Sequence, residues 1–163
     1  ALVSIGGVSV GDRDLVRAGL TGSGARLDFW RVAMRPGKPV AFGRWGPMAV
    51  FGLPGNPASS LVTFELFVRP ALRRLAGLAG AGRLVVRARL AAAEEKPAGL
   101  EVYLRCRLRR RDDSLWVEGL RTQQSGHLTS VVGMEALAVL PAPASRLRRG
   151  QWVEAIVVRP PSG

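Results

Sequence analysis

The sequence is short of the residues that carry most redox, metal and acid–base chemistry. Its 163 residues include one cysteine, one histidine and one tyrosine. With Cys106 as the lone thiol, an intramolecular disulfide framework and a thiolate zinc finger are both excluded. With His127 as the lone imidazole, His-rich metal centres are excluded, and a Ser-His-Asp triad would have to use that one residue. No run of about 18–20 apolar residues occurs, which excludes a transmembrane helix. The first residues lack the basic segment, apolar stretch and cleavage site of a signal peptide. The expected setting is therefore reducing and cytoplasmic, away from the membrane.

Lysine is scarce as well. Lys38 and Lys96 are the only two; every other basic residue is arginine, and the net charge is +12. Such a charge raises the possibility of a nucleic-acid-binding module, because arginine neutralises phosphate. The dense basic runs, 105–111 and 146–149, lack the interleaved aromatics that stack bases. In the first run Arg105, Arg107 and Arg109 alternate with other residues, the pattern of a strand with one solvated face.

What is present is enough apolar sequence (47%) for a real core in one domain or two small ones. Residues 1–77 read as short strands (1–5, 27–34, 39–43, 48–53), glycine-rich turns and two helices. The first helix spans 13–20. The second opens at Asn56-Pro57, an N-cap followed by the proline suited to N1, and Gly77 ends it. Its inward stripe is Leu61, Phe64, Val68, Leu72 and Leu75, with a kink expected at Pro70. After a small, flexible linker at 77–82, residues 83–163 read as strands at 84–90, 102–110, 115–120, 136–140 and 153–158, the spacing of a small all-β barrel. The expected fold is thus part of an α/β, three-layer, mostly parallel sheet domain followed by that barrel. A core-type strand already begins at the first residue, and the first half has few elements to cover both faces of such a sheet. The expectation is that the chain is the C-terminal piece of a longer protein.

Three loops of the first half could carry chemistry. Gly6-Gly7-Val8-Ser9-Val10-Gly11-Asp12-Arg13-Asp14 follows a strand and opens a helix, so its amides can face an anion. The spacing of Gly6 and Gly11 suits a P-loop, but the lysine and hydroxyl that should follow are absent, which rejects a nucleotide triphosphatase. Asp12 and Asp14 suit a helix start in their own right; if an anionic group also lies on the loop, a divalent cation is needed beside Asp14. The turn 34–39 holds two cations, Arg35 and Lys38, on a rigid Pro-Gly frame, or is simply exposed. The third loop, Gly52-Leu53-Pro54-Gly55-Asn56-Pro57-Ala58-Ser59-Ser60, has its shape set by two prolines and two glycines and leads into a helix N-terminus, or is simply an ordinary capped helix start.

Taken together, residues 6–14, Pro36-Gly37-Lys38-Pro39 and Gly52-Leu53-Pro54-Gly55-Asn56-Pro57 resemble, in order and spacing, the molybdopterin molybdenumtransferases, a family that includes the E domain of gephyrin. The resemblance extends through the second half to Gly150-Gln151-Trp152, and so covers the C-terminal portion of a family member. It implies insertion of molybdate into adenylylated molybdopterin with release of AMP, assisted by Mg2+. It further implies a cytoplasmic homodimer and the molybdopterin adenylyltransferase as a partner. By position it casts Ser9 and Asp14 as catalytic, with Asp14 at the metal. Gly6, Gly7, Gly11, Pro54, Gly55, Asn56 and Pro57 fall in the substrate loops, and Arg35, Lys38, Arg105 and Ser125 around molybdate. Arg35 stands where many relatives carry lysine, which keeps the charge and changes its shape. His127 is expected to pack or hydrogen-bond, and Cys106 to be an inert strand residue. A gephyrin-like scaffold role is the further alternative.

Overall fold

The computed structural model describes residues 1–7 and 15–160, with Leu15 and Arg17 described by their backbone alone. Contacts divide the chain into two compact units, one of Ala1–Val32 with Pro36–Ala81, the other of Ala33–Arg35 with Gly82–Gly163.

The first unit contains β1 (Leu2–Ile5), α1 (Leu15–Gly22) and β2 (Arg26–Phe29). The two-residue strand β3 (Met34–Arg35) comes next in sequence but belongs to the second unit. β4 (Ala41–Trp45), β5 (Met48–Leu53) and a long helical segment complete the first unit. The sheet order is β1-β5-β4-β2. Only β1 and β5 run parallel; β4–β5 and β2–β4 are antiparallel. The expectation of a mostly parallel sheet is therefore not met by these strands. The Trp45-Gly46-Pro47 turn makes a hairpin of β4 and β5, and a hairpin is antiparallel by construction. Val40, Phe51, Leu53 and Val68 are buried at the centre of this unit, and Phe29, Phe42, Phe64, Phe67 and Ala71 pack around them.

The long helical segment is α2 (Pro57–Thr63), a π-helical turn (Phe64–Val68) and α3 (Arg69–Leu75). Asn56 takes the N-cap position in extended conformation with Pro57 next, as expected, though its side chain makes no capping bond. Pro70 does not break the segment. The widened turn before it lets the Arg69 N–H bond Phe64 O, so the residue without an N–H is accommodated by one extra residue in the turn. That extra residue also rotates the helical turns beyond it. The buried stripe continues from Phe64, Phe67 and Val68 to Ala71, while Leu72 (38% exposed) and Leu75 (66%) turn outward, contrary to the simple helical count. Gly77, at φ 71°, ends the helix. Its N–H bonds Arg74 O (3.1 Å) and that of Leu78 bonds Arg73 O (3.0 Å), a Schellman closure. The small residues beyond are less free than their composition suggests. Arg73 donates to Ala79 O and Gly80 O, and Arg69 donates to Ala81 O.

The second unit adds β6 (Val85–Leu90), β7 (Glu94–Glu95), β8 (Glu101–Arg111), β9 (Ser114–Gly119), a 3-10 turn (Leu128–Val131), β10 (Ala136–Leu140), β11 (Arg146–Leu147) and β12 (Trp152–Val157). Strands β8, β9, β6, β12 and β10 pair in that order, and β10 pairs back to β8 to close a five-stranded barrel. The interior alternates small and large residues: Ala88 and Leu90, Leu104, Cys106 and Leu108, Ala136, Ala138 and Leu140, Val153 and Ala155. β3 lies parallel along β8, with Arg35 beside Val102, and β7 pairs β11 outside the barrel. Cys106 is fully buried, and its thiol donates to Ala136 O at 3.2 Å. Burial pushes its pKa up to about 12, so it is the inert strand residue expected.

Candidate functional site

In the first unit two of the three loops meet. β1 and β5 run parallel, so both end at the same edge of the sheet. The N–H of Gly6 then bonds Leu53 O at 2.9 Å. A Cβ added to Gly55 would lie 3.5 Å from the Gly6 Cα, so the two backbones touch where side chains would intervene. Gly7 is the more constrained of the first pair. It sits at φ +67°, and a Cβ there would be 2.6 Å from Val16 Cγ2, so only glycine brings this backbone against α1. Pro54 is buried, Gly55 and Asn56 are exposed, and Pro57 is half-buried. Ser60 holds the third loop's shape by donating its hydroxyl to Pro54 O and to Asn56 O. Ser9, Gly11 and Asp14 lie outside the described residues.

The second loop divides between the units. Residues 33–35 join the barrel, and the base of this excursion is pinned in the first unit by the Val32 N–H to Lys38 O bond (3.1 Å). The Lys38 and Arg35 side chains are both exposed. Among the described residues no hydrogen bond joins Lys38 to either of the other loops.

In the barrel, Arg105 departs from the solvated-face reading of its strand. Arg107 is exposed, and Arg109 and Arg111 pair with Glu118, but Arg105 is only 1% exposed. Alternation correctly turns it away from the barrel interior; residues 120–134 then cover it from outside. Gln123 clamps its backbone like one rung of a strand, accepting from Arg105 N–H (3.1 Å) and donating to Arg105 O (2.9 Å). Its Nε donates to the Ser130 carbonyl at 3.0 Å. Its Nη2 and the Ser130 hydroxyl are both buried without a hydrogen-bond partner.

Two unpartnered polar atoms in one place, one of them on a cation, are costly unless something satisfies them. Among the described residues no carboxylate pairs with Arg105. The buried Glu135 is instead bonded by the Leu108 N–H (2.9 Å) and faces Arg109 Nη1 at 3.5 Å. The Arg105 pKa is lowered, first by burial and then by the charge of Arg35. Two guanidiniums that repel each other, with a free N–H and a hydroxyl alongside, suit a tetrahedral oxyanion: it accepts from both donors and neutralises both charges. Ser125 is half-buried in the same covering segment. Ser130, five positions on, accepts from the guanidinium through its carbonyl; its signal, burial in a 3-10 turn remote in sequence, is not visible without coordinates. His127 is exposed, and its carbonyl accepts from the Ser130 N–H at 3.0 Å. No three His, Cys, Asp or Glu side chains cluster among the described residues.

One unit thus brings glycine turns together at the ends of two parallel strands, and the other buries a guanidinium that no carboxylate pairs with among the described residues. The comparisons with known proteins name the class. Residues 1–74 match the family model "Probable molybdopterin binding domain", and residues 87–158 match "MoeA C-terminal region (domain IV)". The molybdopterin molybdenumtransferase of Nostoc is 37% identical over 93% of this chain, and that of Bacillus subtilis is 30% identical over 99%. Molybdopterin molybdenumtransferase 1 of Mycobacterium tuberculosis is 36% identical over 94%. The crystal structure of the molybdopterin biosynthesis MoeA protein from Pyrococcus horikoshii superposes with a TM-score of 0.73 at 26% identity, over 95% of this chain and 36% of that one. The chain belongs to the molybdopterin molybdenumtransferase family. It spans 36–38% of the length of these three curated relatives.

Proposed function

We propose that this chain is the C-terminal portion of an enzyme of molybdenum cofactor biosynthesis that inserts molybdate into adenylylated molybdopterin and releases AMP. The observation that carries the reading is the buried Arg105, which has an unpartnered Nη2 and no carboxylate partner among the described residues, and whose Nε donates to the carbonyl of Ser130, a residue with an unpartnered buried hydroxyl of its own. Molybdate is a tetrahedral dianion, and a dry site with fixed donors holds such a charge better than solvent-exposed side chains do. In this reading Arg105, Arg35, Ser125 and Ser130 hold the oxyanion, and Lys38 takes its molybdate role from its place in the Pro36-Gly37-Lys38-Pro39 motif. Gly6, Gly7 and Gly11 offer backbone amides to the phosphoanhydride, and Pro54, Gly55, Asn56 and Pro57 shape the facing wall. Ser9 and Asp14 act on the adenylate.

Mg2+ is proposed at Asp14, where it would neutralise the phosphoanhydride; the described residues provide no cluster for it, so no step is derived through it. The homodimer, the adenylyltransferase partner and the cytoplasmic location belong to the same proposal, as does completion of a three-layer, mostly parallel domain by further segments of the full-length protein. Among the described residues no helix is long and apolar enough to cross a membrane.

The test is molybdate-dependent AMP release by the full-length protein. Arg105→Gln should raise the molybdate concentration needed for half-maximal rate. Asp14→Asn should slow release at saturating molybdate without abolishing substrate binding. Unchanged kinetics in both variants would overturn the assignment.

A further inference from the structure

The second unit also carries a groove of about 350 Å³ whose lining includes Arg107, Glu118, Leu120, Arg121, Thr122, Thr129 and Val132 and not Arg105. Its charges are not matched. Glu118 is engaged by Arg109 and Arg111. Arg107 and Arg121 have no ion pair and no side-chain hydrogen bond among the described residues.

The Arg107 guanidinium lies against Gly133. Gly133, at φ +78°, leaves its Cβ space empty, and the guanidinium fills it: a Cβ there would be 2.7 Å from Arg107 Nη2 and 3.2 Å from Nε. Two arginine forks and the hydroxyls of Thr122 and Thr129 make a donor-rich lining, and Leu120 and Val132 give it apolar surface. A bare oxyanion would leave most of the volume empty, whereas the groove falls in the size range of small-molecule sites.

We propose that this groove binds a phosphorylated small organic molecule of sugar-phosphate to nucleotide size, with the phosphate on Arg107 and Arg121 and the organic part against Leu120 and Val132. Arg105 is not among its lining residues, and the proposal does not depend on the role given to Arg105. Arg107 lies on the same outward face of β8 as Arg105, but it is exposed where Arg105 is enclosed.

The test titrates the 163-residue chain with ribose 5-phosphate, ribose and inorganic phosphate, followed by calorimetry and amide NMR at physiological salt. Ribose 5-phosphate should bind saturably, with shifts at Gly119, Thr122 and Gly133, and ribose should not. Arg107→Gln and Arg121→Gln should each weaken it about tenfold. Arg149→Gln, an equal loss of charge outside the groove, should leave it unchanged. Circular dichroism of each variant separates lost binding from lost folding. Equal weakening by Arg149→Gln, or no saturable binding, overturns the site. Equal affinity for inorganic phosphate overturns the organic ligand.

Discussion

Replacing Arg105 by methionine separates a binding arginine from a structural one, because the two predict opposite signs. Methionine matches much of the arginine stem in length and leaves no charge behind. In anion-free buffer the variant loses the Nε bond to Ser130 O, a term of about 1–3 kcal/mol for a charged donor. It also escapes the burial of a guanidinium that is 1% exposed and has no carboxylate partner, a penalty of several kcal/mol even after relaxation. The second term is the larger, so Arg105→Met should be as stable as the parent chain, or more stable by about 1–3 kcal/mol. Adding the oxyanion reverses the order. A ligand at a hundred times its Kd stabilises the folded state by about 2.7 kcal/mol, which for a chain of this size raises Tm by about 5–10 °C. The assay is thermal unfolding in increasing molybdate, tungstate or sulfate, with ionic strength held constant by chloride so that general screening is equal throughout. The parent Tm should climb with oxyanion and that of Arg105→Met should stay flat. A variant that loses about 3–5 kcal/mol without anion, yet keeps the full anion-dependent rise, would refute the reasoning and make Arg105 a packing residue.

The other predictions concern the frame around the sites. Gly7→Ala places a methyl at φ +67° and 2.6 Å from Val16 Cγ2, so unfolding in urea should show a loss of about 1–3 kcal/mol. Lys96→Met removes a buried ammonium that donates to Leu100 O (2.7 Å), Pro97 O (3.3 Å) and Ala142 O (3.4 Å). A loss of roughly 1.5–3 kcal/mol is expected, and no loss would show that these carbonyls are satisfied by water. Cys106 should resist a thiol reagent until the chain unfolds. Burial raises its pKa to about 12 from 9.0, so above pH 9 the unfolded chain gives up a proton that the folded one keeps. Stability should therefore fall as pH rises from 9.0 toward 12, by up to about 1.4 kcal/mol per pH unit, and Cys106→Ala should flatten that slope.

How far the sequence could be read depended on the range of the interaction that decides each feature. Strand periodicity is local, and β5 (Met48–Leu53) and β10 (Ala136–Leu140) fall where the apolar runs place them. Capping is local too, so Pro57 opens α2 and Gly77 closes α3. The π turn is a compromise between Pro70 and the helix, and its effect on Ala71, Leu72 and Leu75 is set by what packs against them. The two-residue strands β3, β7 and β11 are too short for any period to show. Their residues become strands only because β8 and each other are at hand.

The candidate site shows the same division within one strand. Alternation shows which residues of β8 point away from the barrel interior, and Arg105, Arg107 and Arg109 do share that face. It cannot show what covers the face. Residues 120–134 close over Arg105, leave Arg107 along Gly133, and bring the buried Glu135 to Arg109, so three arginines of one pattern meet three environments. An arginine run in a strand therefore states how much positive charge is available; the segment folded across it decides which of those charges stays unanswered. Here the buried charge that no carboxylate pairs with among the described residues is Arg105, which is why the proposed function puts the oxyanion there.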